Sequence, residues 1–225
     1  NGTLINAGSG TITLSAGEGV TLGGLLTTNT GATAVTLTST AGGIVDGGDA
    51  TVDVVAAGGR LVIDAVTGVG DAGAIDTTVA SLDLDNATSG NADVAETDAI
   101  TVVKSVQATT GNVQIVAGGI VTLDSAGSPA NVVSTLSTGT VTIDANGATS
   151  DILVNDGIST ASGAITLDAD NDVIFAAEGD IASTSGNVAV TADKDAGGAS
   201  SGALTMNNGT LINAGSGTIT LSAGE

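Results

Sequence analysis

Residues 1–18, NGTLINAGSGTITLSAGE, recur without a change as residues 208–225. The offset of 207 residues divides the chain into one full period, 1–207, and the first 18 residues of the next, 208–225. Self-similarity at a fixed offset is the mark of an array, whose units stack on one another instead of closing round a private core. The expectation is a segment of a fibre or stalk, with adjacent copies of the same repeat stacked end to end.

A shorter pattern runs inside the long one. The motif Gly-x-(Ile/Val/Leu)-x-(Leu/Ile/Val)-x-Ala begins at Gly10, Gly59, Gly111, Gly139, Gly163 and Gly186, and again in the copy at Gly217. Degenerate forms surround Val35–Leu37, Leu82–Leu84 and Leu204–Met206. Alternation of apolar and polar residues is the period of a half-buried strand, and Val, Ile and Thr favour that conformation. A second short apolar run follows the first, as in Val20–Leu22, Ile152–Val154 and Val173–Phe175. A third ends in hydroxyl residues and Gly, as in GISTAS at 157–162. Three short strands cannot bury their own apolar faces, so each unit must stack on the next. The spacing of motif starts predicts an all-β chain. Its fold is a parallel β-helix (β-solenoid) of about 8–10 coils per 207 residues, or roughly 38–48 Å of axis at the spacing of neighbouring strands. The copy of Gly10 at Gly217 suggests that the long period closes on a whole number of coils. Gly-rich stretches at 67–74 and 194–203 are predicted to loop out from corners.

Composition fits such an interior. There are 35 Gly, one Pro, one Phe and no Trp, Tyr, His or Cys. A core without large aromatics suits thin layers of Val, Ile, Leu and Ala. Pro, which would break a ladder bond, is almost absent. Immunoglobulin-like tandem domains would run near 100 residues and carry a core aromatic, so they fit poorly. Net charge is −21, against three cations, Arg60, Lys104 and Lys194. That surface repels nucleic acid and anionic membranes, attracts cations, and discourages pairing between long sheet surfaces. The absence of Cys and His removes a disulfide framework and the usual zinc site. No apolar run reaches the length of a spanning helix.

The strings GTITLSAGEGVTLGGLLTTNTG, GAITLDADNDVIFAAEGDIASTSG and GTVTIDANGATSDILVNDGISTASG resemble the coil repeats of filamentous-haemagglutinin-type bacterial surface proteins. The resemblance is clearest over 10–31 and 111–192 and weakest over 40–105. It implies a right-handed parallel β-helix, placement outside the cell on the bacterial surface, and a role in adhesion or biofilm architecture. Other fibres, or the surfaces of host or neighbouring cells, are the implied partners.

Few residues invite chemistry. Asp64, Asp144 and Asp168 occupy the same place after a motif strand and read as solvated strand ends. With almost no basic or aromatic side chains to hold a substrate, the chain is not expected to be an enzyme. The alternation Asp168, Asp170, Asp172 could place three carboxylates on one face, as in the first half of a calcium loop. It is the best candidate metal site, ahead of Asp193 and Asp195, which Lys194 can neutralise, and no other cofactor is required. A calcium- or glycan-binding module is therefore the second functional reading. Thr-x-Thr pairs at 11/13, 36/38 and 140/142 raise a third, an ice-binding or surface-assembly protein, although Asn112/Gln114 and Asn187/Ala189 interrupt the array.

Overall fold

Wherever the sequence alternates, the backbone is extended and its residues are alternately buried. The strands Val35–Ser39, Val113–Ala117, Val141–Ala145, Ile165–Ala169 and Val188–Ala192 each begin and end on a buried residue. The computed structural model describes residues 3–48, 51–71, 73–125, 131–195 and 201–224. Among them there is no helix, and the named strand pairs are all parallel, each strand pairing with those one turn away. The chain is a β-solenoid of about eight turns.

The inward residues form continuous columns. One runs Ile12, Val35, Leu61, Leu82, Val102, Leu123, Val154, Phe175, Met206. A second runs Val20, Ile44, Val69, Ala92, Val113, Val141, Ile165, Val188, Ile219. Residues well inside the stack are buried outright. At the two ends Ile5, Met206, Ile219 and Leu221 remain 41–44 % exposed. The single Phe fits because it fills one rung of the first column, between Val154 and Met206.

One corner explains the Gly of the motif. Gly90, Gly111, Gly139, Gly163, Gly186 and Gly217 stack there so closely that a Cβ on Gly163 would lie 1.7 Å from the carbonyl oxygen of Gly139. The same atom on Gly139 would lie 1.8 Å from Gly111 O, and on Gly186 1.9 Å from Gly163 O. Backbone approaches backbone, so no side chain fits without moving a turn.

Motif position and spatial position part company in the middle of the chain. The motif strands Ile12–Ala16 and, within Val54–Ala65, residues 61–65 lie on one ladder. Those after Gly111, Gly139, Gly163, Gly186 and Gly217 lie on another. The change happens over residues 54–107, where Val54–Ala65 and Ile75–Asn86 are 12-residue strands that run past the corner. There the ladder begun by Ile12–Ala16 divides. Part continues into Val121–Leu123 and its successors, and part into Asn131–Thr135 and its successors. Leu204–Met206, expected as a degenerate first strand, therefore belongs to the second-strand ladder, above Val173–Phe175.

The same change corrects the expectation of whole-number closure. Ile219, the copy of Ile12, ends the column that Val20 begins. Ile212, the copy of Ile5, ends the column Leu14, Leu37, Ile63, Leu84, Ser105, Val133, Ile158, Ile181. Counted on the lowest turn, each copy stands one strand ahead of its original; counted on the highest, Ile219 stands two strands past Met206, where the column of Ile12 ends. One ladder divides and two others merge between the ends, so the period lies between eight and one-third and eight and two-thirds turns. The expected loop at 67–74 is in part structural, since Val69 is buried and bridges Ile44 to Ala92; its Ala72 lies outside the described residues. Residues 196–200 of the other predicted loop also lie outside them.

Gly163→Ala is expected to cost at least about 3 kcal/mol, among the larger single-residue effects, and to lower the melting temperature by roughly 6–12 °C. Gly10→Ala, whose Cβ meets nothing nearer than Ala7 O at 3.2 Å, should melt within about 2 °C of the parent; circular dichroism melts of both variants test the pair.

Candidate functional site

The outward faces of the ladders set the places of the carboxylates. Asp144 and Asp168 are adjacent rungs, followed by Thr191. Asp64, expected in the same slot, is on a different ladder, beside Asp85. Stacked carboxylates repel, and two of the three cations lie beside them. Lys104 pairs with Asp85, and Lys194 with Asp144; Lys194 is also 3.6 Å from Asp170 and 2.8 Å from Asn146 Oδ1. Asp83, next to Lys104 in register, keeps a raised pKa because burial disfavours its charge more than the ammonium favours it.

The three residues of the predicted calcium set are not carried on one strand. Ile165–Ala169 ends before Asp170, and the chain turns before Val173–Phe175 begins. Asp168 stays on the strand face, half-buried. Asp170 Oδ2 accepts the Gly147 N–H at 2.6 Å, and Asp172 Oδ1 accepts the Ala203 N–H at 2.7 Å. Asp151 Oδ1 fixes the turn from the layer below, accepting from Asn171 Nδ2 and from the Asp172 N–H. Two of these carboxylates thus close backbone donors of neighbouring turns. Among the described residues no three acidic side chains lie close enough together to hold a metal ion. Asn side chains do similar work at another corner: the Asn112 N–H donates to Asn91 Oδ1, and the Thr140 N–H to Asn112 Oδ1.

The least expected chemistry is inside. A column that starts Ile5, Leu25, Val54 passes through Thr77 and Glu96 before finishing in Ala117, Ala145, Ala169 and Ala192. Glu96 is only 4 % exposed. Its Oε2 accepts from Thr77 Oγ1 at 2.8 Å and from the Val79 N–H at 3.0 Å; its Oε1 accepts the Thr97 N–H at 3.0 Å. Burial pushes its carboxyl up to about 7, although the bonds from Thr77 and Val79 pull the other way. In the same layers Asn86 Nδ2 donates to Gln107 Oε1 at 2.8 Å, and Asn86 Oδ1 accepts the Gly68 N–H. Ser105 replaces an aliphatic rung between Leu84 and Val133, its buried hydroxyl without a partner among the described residues. These residues lie where the ladders change sides. Sequence reasoning passed over them, and the available signal was the fading of the motif over 40–105.

Two hollows mark the surface of the described residues. A hollow of about 290 Å3 at the open N-terminal edge is walled by Ile5, Leu14, Leu22 and Leu25, and is the uncovered mouth of the core. A shallow groove of about 540 Å3 runs over small outward residues, among them Ala57, Ala80, Ala99 and Thr122, beside Asp98. The outward Thr column Thr13, Thr36 is interrupted by Val62 and Asp83, so no flat Thr array forms there.

A repetitive β-solenoid with acidic outer rungs and a polar layer in its interior is the class these observations define. Comparison with protein-family models, curated proteins and solved structures returns no match.

The Glu96 carboxyl gives a pH signature. Its folded pKa of about 7 lies above the ordinary 4.5, so between those values the folded state holds more protons than the unfolded one. Its contribution is full below about pH 4.5 and is lost as pH rises through 7. Unfolding free energy by urea titration should fall from pH 5 to 7.5, with roughly 1–3 kcal/mol of that fall absent in Glu96→Gln. An unchanged slope in the variant would remove Glu96 as the cause.

Proposed function

We propose that this chain is a length of structural shaft in a tandemly repeated extracellular fibre or giant bacterial surface adhesin, serving adhesion or biofilm architecture. The observation that carries the reading is one continuous stack that uses the same segment twice, by opposite edges. Residues 4–16 pair with the turn above them, and their copies at 211–222 pair with the turn below. A segment that can be paired on both sides suits a rod in which one repeat stacks on the next. Backbone ladders along the axis around a column of aliphatic side chains make a stiff rod, and rods hold other modules away from a surface. The outer location and the adhesive setting rest on the resemblance of the coil strings to filamentous-haemagglutinin-type proteins. The acidic exterior supports both by keeping neighbouring rods apart.

A calcium-dependent surface module is the competing reading, favoured by the adjacent rungs Asp144 and Asp168. The Lys194 ammonium beside Asp144 and Asp170 already supplies positive charge there, which supports the shaft reading instead. Melting with calcium and with chelator separates the two: a chelator-dependent loss of structure would establish the module. For the shaft, electron micrographs of material containing successive repeats should show an unbroken rod advancing roughly 35–55 Å per 207 residues, the span set by parallel-strand spacing. An advance outside that range would contradict it.

A further inference from the structure

Resting on the shaft reading, the two ends of the stack specify how one repeat meets the next. The duplicated segment is seen in two settings. As residues 4–16 it has a turn above it: Ile5 pairs with Leu25, and Ile12 with Val35. As residues 211–222 it has a turn below it: Ile212 pairs with Ile181, and Ile219 with Val188. The two settings use opposite edges of the same strands. Both edges can therefore be satisfied at once in a single layer, below by the last turns of one repeat and above by the first turns of another.

The glycines of this segment make the same point independently. A Cβ on Gly17 would meet nothing within 4 Å, and one on Gly10 would meet nothing but Ala7. On their copies the same atom would lie 1.6 Å from Asp193 Oδ2 at Gly224 and 2.3 Å from Gly186 O at Gly217. Residue 10 needs to be glycine only when a turn lies beneath it, and a side chain at 17 would then meet that of Asp193. Ile5 and Ile219, exposed at the two ends, become inward rungs under the same arrangement.

We infer that the edge left open at Leu204–Met206, Ile212–Asn213 and Ile219–Ser222 seats a further copy of this same repeat, and that each copy enters turned by about half a revolution. The turn follows from the register: on the lowest turn the copy of each strand stands one strand of three ahead of its original, and on the highest turn two. Two copies bring a given side chain back to about the same face. The rod is then close to a twofold screw whose true repeat is roughly 80 Å, twice an advance of about 40 Å. Any group on one face of a repeat is displayed on opposite sides of the rod in successive copies.

The turn can be measured in the 225-residue chain, which has no Cys to compete with introduced labels. Ser15, Ser222 and Asn213 are all exposed and outward. Asn213 ends the ladder on which Ser15 stands, whereas Ser222, the copy of Ser15, ends the ladder of Leu4. Spin-label distances by double electron–electron resonance should put Ser15→Cys/Asn213→Cys at about 38 Å, eight rungs of pure advance. Ser15→Cys/Ser222→Cys should be longer by roughly 5 Å or more, because the second pair also crosses the rod. The reverse order would overturn the turn and restore whole-number closure. A chain of two repeats, residues 1–207 followed by 1–225, tests the seat. Small-angle scattering should show one rod of roughly 80 Å, and Gly10→Ala in the second repeat, harmless in the single chain, should split it. Two jointed bodies without that substitution would overturn the seat and the shaft reading together. One straight rod with the reversed label order would overturn the turn alone.

Discussion

Everything in this molecule depends on parallel pairing in register from one turn to the next. In that pairing a residue's neighbour in space lies about one turn away in sequence and has the same orientation, so inward residues can only stack on inward residues. Hydrophobic burial and backbone bonding then reinforce each other. A rung such as Ile143, between Ile115 and Leu167, is dry because the ladder puts aliphatic groups above and below it. The same geometry forces the Gly corner, where successive carbonyls leave no room for a side chain. It also governs the exterior, since a carboxylate placed outward meets whatever the next turn places outward.

Charge is handled within that frame rather than by separate sites. Asp and Asn at corners accept N–H groups from adjacent turns, as Asp172 does for Ala203 and Asn112 for Thr140. Backbone donors that lack a ladder partner at a corner are satisfied by side chains. A high count of acidic residues thus reflects in part a structural use, closing corners, before any ligand is considered.

The architecture was legible in the sequence because alternation and Gly spacing report on local conformation and on stacking together. Strands at Val113–Ala117, Val141–Ala145, Ile165–Ala169 and Val188–Ala192 follow the motif directly. The change of sides was not legible. A motif records the shape of a strand, not the ladder it joins, and the strands of Gly59 and Gly111 look alike while standing on different faces. Glu96 and Thr77 were equally hidden: their alternation is ordinary, and only the register shows that their inward places share one column. The acidic alternation at 168–172 misled for the converse reason, because alternation in sequence continues across a turn that ends the strand.

The polar layer has a mechanical side. Stability in a stack is a sum over neighbouring turns, and most boundaries here are aliphatic against aliphatic. The boundary at Thr77–Glu96 and Leu84–Ser105 substitutes hydroxyl and carboxyl groups for that contact. A rod drawn out along its axis yields first at its weakest boundary. In the tandem shaft proposed above this one would recur once in every 207 residues, so extension would proceed in equal steps, each sparing the turns on either side. The layer would there act as a spaced set of sacrificial joints, letting such a filament lengthen under load before it breaks.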